Sequence, residues 1–79
     1  MELRTLHYFT VVAQELNITR AAEKLNMSQP PLSNQIKALE EELGVPLFER
    51  VGRRMALTEA GKRALPQARE LLAAADRLL

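Results

Sequence analysis

Cysteine is absent from the 79 residues, so the chain has no disulfide, no thiolate metal site and no thiol nucleophile. Histidine occurs once, as His7, with no neighbouring ligand set or nucleophile that would make it a metal or catalytic site. No apolar run approaches the roughly 20 residues that span a bilayer. The N-terminus MELRTLHYF lacks the basic, apolar and small-residue zones of a signal peptide. There is no low-complexity tract and no internal repeat. These absences argue against an enzyme, which needs clustered reactive groups, and against a membrane protein. They leave one small domain, expected in the cytoplasm and without a cofactor, whose 47% hydrophobic residues suffice for a modest core.

What the sequence does have lies first between Asn17 and Leu39, where two short amphipathic helical patterns are joined by three residues. Asn17 is a good N-cap, and Ile18, Ala21, Ala22 and Leu25 share one face of the helix it would start. Asn26 tolerates the left-handed conformation that ends a helix, so a sharp turn is expected there, with Met27 as an apolar plug. Ser28 or Gln29 begins the second helix. Pro30 and Pro31 fall in its first turn, where backbone N–H groups lack intrahelical partners in any case. Leu32, Ile36, Leu39 and Leu43 then recur at spacings of four, three and four as a core-facing stripe.

At about 100° per residue, the opposite face of the second helix carries Pro30, Asn34, Lys37, Ala38 and Glu41, with Ser33 on its edge. Its first half is short, polar and basic, and its second half holds Glu40, Glu41 and Glu42. That polarity suits a helix whose N-terminal end enters a DNA major groove while its acidic end stays outside.

Net charge is only +1, but the charges are unevenly placed. Residues 1–49 set four cations against seven glutamates, a net of −3, whereas residues 50–63 hold Arg50, Arg53, Arg54, Lys62 and Arg63 against Glu59, a net of +4. The remaining segment is neutral. A basic stretch of this kind fits a phosphate-facing patch. Within it, Leu47-Phe48-Glu49-Arg50 and Ala56-Leu57-Thr58 flank VGRRM, two short extended segments around a glycine turn with exposed arginines. This reads as a small hairpin, the wing of a winged helix-turn-helix.

Before these elements, Leu6, Phe9, Ala13 and Leu16 predict a scaffold helix over Leu3 to Leu16. After them, Thr58 is an N-cap with Glu59 in the first turn, and a helix is expected to the end of the chain, bent near Pro66. Leu65, Ala68, Leu72, Ala75 and Leu79 form its stripe, widened by Ala64, Leu71 and Leu78. That is more apolar surface than so small a domain covers, so the helix is expected to pair with a second copy. A pure dimerisation or protein-interaction module is the competing reading. It explains the last helix but leaves the basic wing without a purpose.

The run Ala21-Ala22, Leu25, the string Ser28-Gln29-Pro30-Pro31-Leu32-Ser33, Gln35-Ile36, Leu39-Glu40, Leu43-Gly44, Leu47-Phe48-Glu49-Arg50, Arg53 and Leu57-Thr58-Glu59-Ala60-Gly61 together resemble the N-terminal domain of LysR-type transcriptional regulators. The resemblance implies a mainly α fold: a winged helix-turn-helix with a three-helix core and a small β-hairpin wing over residues 1–57, then a long dimerisation helix over 58–79. It further implies a bacterial, sequence-specific binder of double-stranded DNA that acts as a dimer on an interrupted dyad, and as a tetramer when full length. A small-molecule effector would bind only in a C-terminal domain absent from this sequence. Carried over residue by residue, base reading falls on Gln29, Pro30, Pro31, Ser33 and Asn34. Backbone anchoring falls on Thr19, Arg20, Ser28, Lys37, Arg50, Arg53 and Arg54. Position 34 is often arginine in the family. Asparagine here is uncharged and better matched to adenine than to guanine.

Overall fold

The computed structural model describes all of residues 1–79, as four helices and one hairpin: α1 (Leu3–Glu15), α2 (Ile18–Lys24), α3 (Gln29–Leu43), β1 (Phe48–Val51), β2 (Arg54–Leu57) and α4 (Glu59–Leu78). Local chemistry sets most of these boundaries. Asn17 is extended and its Oδ1 accepts the Arg20 N–H at 2.9 Å, starting α2. Asn26, at φ 54°, takes the left-handed conformation expected of it and turns the chain toward α3. Gly44, at φ 76°, ends α3 while its N–H reaches the carbonyls of Glu40 and Glu41. The Thr58 hydroxyl accepts the Gly61 N–H at 3.0 Å and starts α4, which runs through Pro66 without interruption.

Helix α1 is the hub, packing against α2, α3 and α4. Phe9, Val12, Ala21, Leu32, Leu39 and Leu47 fill the centre, and the Phe9 ring meets Phe48 edge-on at 5.6 Å, which ties the hairpin to α1. A buried Thr5 donates its hydroxyl to Gln35 Oε1 at 3.0 Å and fixes α1 against α3. The strands pair antiparallel from Phe48 opposite Leu57 to Val51 opposite Arg54. Gly52, at φ 63°, fills the first of the two loop positions, where tight hairpins need a positive φ.

Three expectations are corrected. Helix α1 ends at Glu15, and Leu16 is its left-handed C-cap at φ 50°, which swings the side chain off the stripe and leaves it exposed. Leu43, expected at the end of the core-facing stripe, is instead 41% exposed at the last turn of α3 and lies outside the core cluster. In α4, Ala68 belongs to the core and Leu65 and Leu72 pack against it, so the first half of the helix is docked on its own chain. The chain's own α1 packs against α4, and Ala68 is 3% exposed within the single chain. Ala75 is half-buried, and Leu71, Leu78 and Leu79 remain exposed.

Glu40 does more than keep negative charge away from the start of α3. Its Oε2 accepts the backbone N–H groups of Leu47 and Phe48 at 2.6 and 3.3 Å, so a carboxylate pins the start of the hairpin to α3. Glu40→Ala should destabilise the domain by about 2 kcal/mol, the scale of lost charge-assisted bonds to partly buried amides. Urea unfolding checks this, and an unchanged midpoint would show that water replaces the carboxylate at no cost.

Candidate nucleic-acid interface

The first turn of α3 is open to solvent. Gln29, Pro30, Pro31 and Asn34 are exposed and Ser33 is half-buried, so five residues expected to read bases sit together at one helix end. Pro30, Asn34 and Lys37 lie on one face by helical spacing, and Lys37 is exposed one turn further on. Ser28 is the N-cap, but its side chain makes no capping bond, which leaves the hydroxyl free for an outside acceptor. The prolines remove two of the orphan N–H donors of this terminus. What α3 presents is therefore apolar ring surface flanked by amides and hydroxyls, more suited to base edges and methyl groups than to gripping a phosphate.

The phosphate-type chemistry lies beside it. A cleft of about 590 Å³ separates the N-terminal ends of α2 and α3 from the hairpin, lined by Asn17, Thr19, Arg20 and Gln29 on one side and by Arg50, Arg53, Arg54 and Met55 on the other. Arg50 stands opposite Met55 in the hairpin register, and its Nη1 donates to the Arg53 carbonyl at 3.4 Å, bracing the two-residue turn. All three wing arginines are exposed. The Thr19 hydroxyl donates to Gln29 Oε1 at 3.4 Å, linking α2 to the opening of α3. The fold thus gathers Thr19, Arg20, Gln29, Arg50, Arg53 and Arg54 around one opening, although up to 35 positions separate them in sequence. Ser28, Pro30, Pro31, Ser33, Asn34 and Lys37 lie outside this cleft, on the α3 surface.

Sequence reasoning did not place Glu15 or Met55 here. Both line the cleft, and Glu15 is its one acid. Periodicity assigned Glu15 no role because its position follows from the left-handed turn at Leu16, which directs the end of α1 toward α2. His7 is an exposed residue of α1, and its carbonyl accepts the Thr10 hydroxyl at 2.7 Å. No helix is long and apolar enough to cross a membrane.

The chain matches, over residues 3–62, the family model described as bacterial regulatory helix-turn-helix protein, lysR family. It is 56% identical over 79 residues to the HTH-type transcriptional regulator BudR of Klebsiella aerogenes, covering all of this chain and 55% of that protein. It is 57% identical over 76 residues to the Hca operon transcriptional activator HcaR of Escherichia coli (strain K12), covering 96% of this chain and 26% of that one. The chain therefore spans about half the length of one of these relatives and about a quarter of the other. Among solved structures, the DNA-binding domain of CbnR in complex with DNA superposes with a TM-score of 0.92 at 48% identity, over 98% of this chain and 88% of that chain. The DNA-binding domain of BenM in complex with catB site 1 DNA gives a TM-score of 0.93 at 47% identity, over 99% and 88%.

Proposed function

The chain belongs to the lysR family of bacterial regulatory helix-turn-helix proteins, and from that premise we propose that it binds double-stranded DNA sequence-specifically, as the DNA-reading part of a transcriptional regulator. One observation carries the reading: the open first turn of α3 and the arginines of the hairpin stand side by side across one cleft. In this assignment Gln29, Pro30, Pro31, Ser33 and Asn34 meet base edges, with the proline rings against thymine methyl groups. Thr19, Arg20, Ser28 and Lys37 hold the backbone beside them, and Arg50, Arg53 and Arg54 hold it from the wing. Residues 1–57 act as the winged helix-turn-helix and 58–79 as the helix that joins two copies, so that two copies of α3 read the two halves of a dyad. The two DNA complexes of similar domains support this reading. In a longer protein, a small-molecule effector would bind in the part beyond this chain and four copies would assemble, at work on the nucleoid in the cytoplasm.

Selection of duplexes from a randomised pool, followed by gel shift against scrambled competitor, tests the proposal. Enrichment of one motif supports it, and retention of all sequences alike overturns sequence-specific reading. A chain that dimerises but retains no DNA would favour the interaction-module reading instead. Two variants assign the parts. Asn34→Ala should weaken binding to the enriched duplex by roughly 1 to 3 kcal/mol and leave scrambled DNA nearly unaffected. Arg53→Ala with Arg54→Ala should weaken binding to every duplex and flatten the dependence of log K on log salt by roughly 1 to 2 units. An unchanged slope would remove the wing from the phosphate contacts.

A further inference from the structure

Glu15 stands where two of the chain's own cations converge. Its side chain is only 13% exposed, its Oε2 lies 2.8 Å from Lys24 Nζ, and its Oε1 lies 3.7 Å from Arg20 Nε. Arg20 also donates from Nη2 to the Glu15 backbone carbonyl at 3.3 Å, so one residue holds the guanidinium by both its carboxylate and its main chain. Arg20 is otherwise exposed and lines the cleft opposite the three wing arginines. A guanidinium has five N–H donors, so this grip still leaves donors for an outside acceptor.

Arg20 and Lys24 are each more than half exposed, so these pairs add little to folding, and the significance of the cluster lies in competition. In loosely bound registers on arbitrary sequence, a cation contributes through its charge alone. Glu15 subtracts from that charge at both Arg20 and Lys24. In a register fixed by base contacts, a phosphate contact also depends on where the donors point, and Glu15 sets that for Arg20. The carboxylate therefore costs non-specific binding more than specific binding, and specificity is the difference between the two. Resting on the reading of Arg20 as a backbone anchor, we infer that Glu15 is a positioning residue that raises DNA sequence discrimination by restraining Arg20 and Lys24.

The test is Glu15→Gln, titrated with an enriched duplex and with a scrambled duplex of the same composition across a salt series. The scrambled duplex should be bound more tightly and with a salt slope steeper by about one unit, which makes the gain about fourfold larger at 50 mM than at 200 mM salt. The enriched duplex should gain less, so the ratio of the two affinities should fall by roughly three- to tenfold. In an Arg20→Gln, Lys24→Gln background, adding Glu15→Gln should leave the slope unchanged. An unchanged slope and ratio in the single variant, or an equal change in the triple variant, overturns the inference. Glu15→Ala removes the same charge and takes the place of Glu15→Gln if the latter does not fold. Unfolding of both neutral variants would make Glu15 a residue of stability and also overturn it. A parent chain that does not distinguish the two duplexes would instead overturn the proposed function beneath the inference.

Discussion

Gly61→Ala should cost the domain roughly 2 to 4 kcal/mol, although alanine is the better helix former by about 1 kcal/mol. A Cβ at this position would collide with the Leu47 carbonyl oxygen and come within 2.9 Å of Leu57 Cδ2 and 3.2 Å of the Leu47 carbonyl carbon. The backbone at Leu47 has nowhere to retreat. Its N–H is held by Glu40, its carbonyl accepts the Thr58 N–H at 3.0 Å, and its side chain is 1% exposed in the core. Thr58 adds a second tie, donating its hydroxyl to the Pro46 carbonyl at 2.7 Å while it caps α4. Glycine at 61 therefore lets α4 lie directly on the chain entering the hairpin, and a methyl group would push these elements apart. At roughly 4 to 8 °C per kcal/mol for a domain of this size, the melting temperature should fall by at least about 8 °C. Gly44→Ala is the control. Its Cβ would meet nothing within 4 Å, so only the left-handed φ of 76° opposes it, at roughly 1 to 2 kcal/mol. Equal losses at the two positions would mean that contact with Leu47 is relieved by a small shift of α4.

Contacts confined to a few neighbouring residues were the legible part of this fold. Asn17, Asn26 and Thr58 act within three or four positions of themselves, through a side-chain oxygen or a tolerated positive φ, and the structure uses each as expected. The two prolines and the glycine turn are local in the same sense. Periodicity gave the direction in which Leu43 and Ala68 point, but not what lies in that direction. Leu43 stays 41% exposed at the end of α3, outside the core cluster, and Ala68 faces the core because α1 lies against α4. The polar ties across the domain, Thr5 to Gln35 and Glu40 to the amides of Leu47 and Phe48, had no sequence signature. Each joins segments whose approach is decided by burial of Phe9, Leu39 and Leu47. At the candidate interface, the spacing of α3 picked out a face that the structure leaves exposed. The position of the wing beside Arg20 and Gln29 depends on the Phe9–Phe48 contact and could not be read from charge runs.

The split of α4 between docked and open residues separates folding from assembly. Leu72 packs on the core, so Leu72→Asp would place a carboxylate against apolar neighbours and should destabilise the monomer itself by about 3 kcal/mol or more. Leu71 is its neighbour in sequence but is 52% exposed, and it lies with Leu78, itself 86% exposed, on a face that the chain does not cover. Leu71→Asp should therefore leave the melting curve of dilute protein nearly unchanged. If two copies join through this face, each would have to bring an unpaired carboxylate into the seam, and sedimentation should report a monomer. The effect on DNA should then be large. Two linked reading units gain on the order of 10² to 10⁴ in affinity over one, because the second contact forms at high effective concentration. Leu71→Asp should lose most of that factor on a duplex with two half-sites and almost nothing on a duplex with one. A folded Leu71→Asp monomer that still binds the two-site duplex as tightly as the parent would show that the copies do not need α4 to read DNA together. A variant that stays dimeric would move the interface away from Leu71 and Leu78.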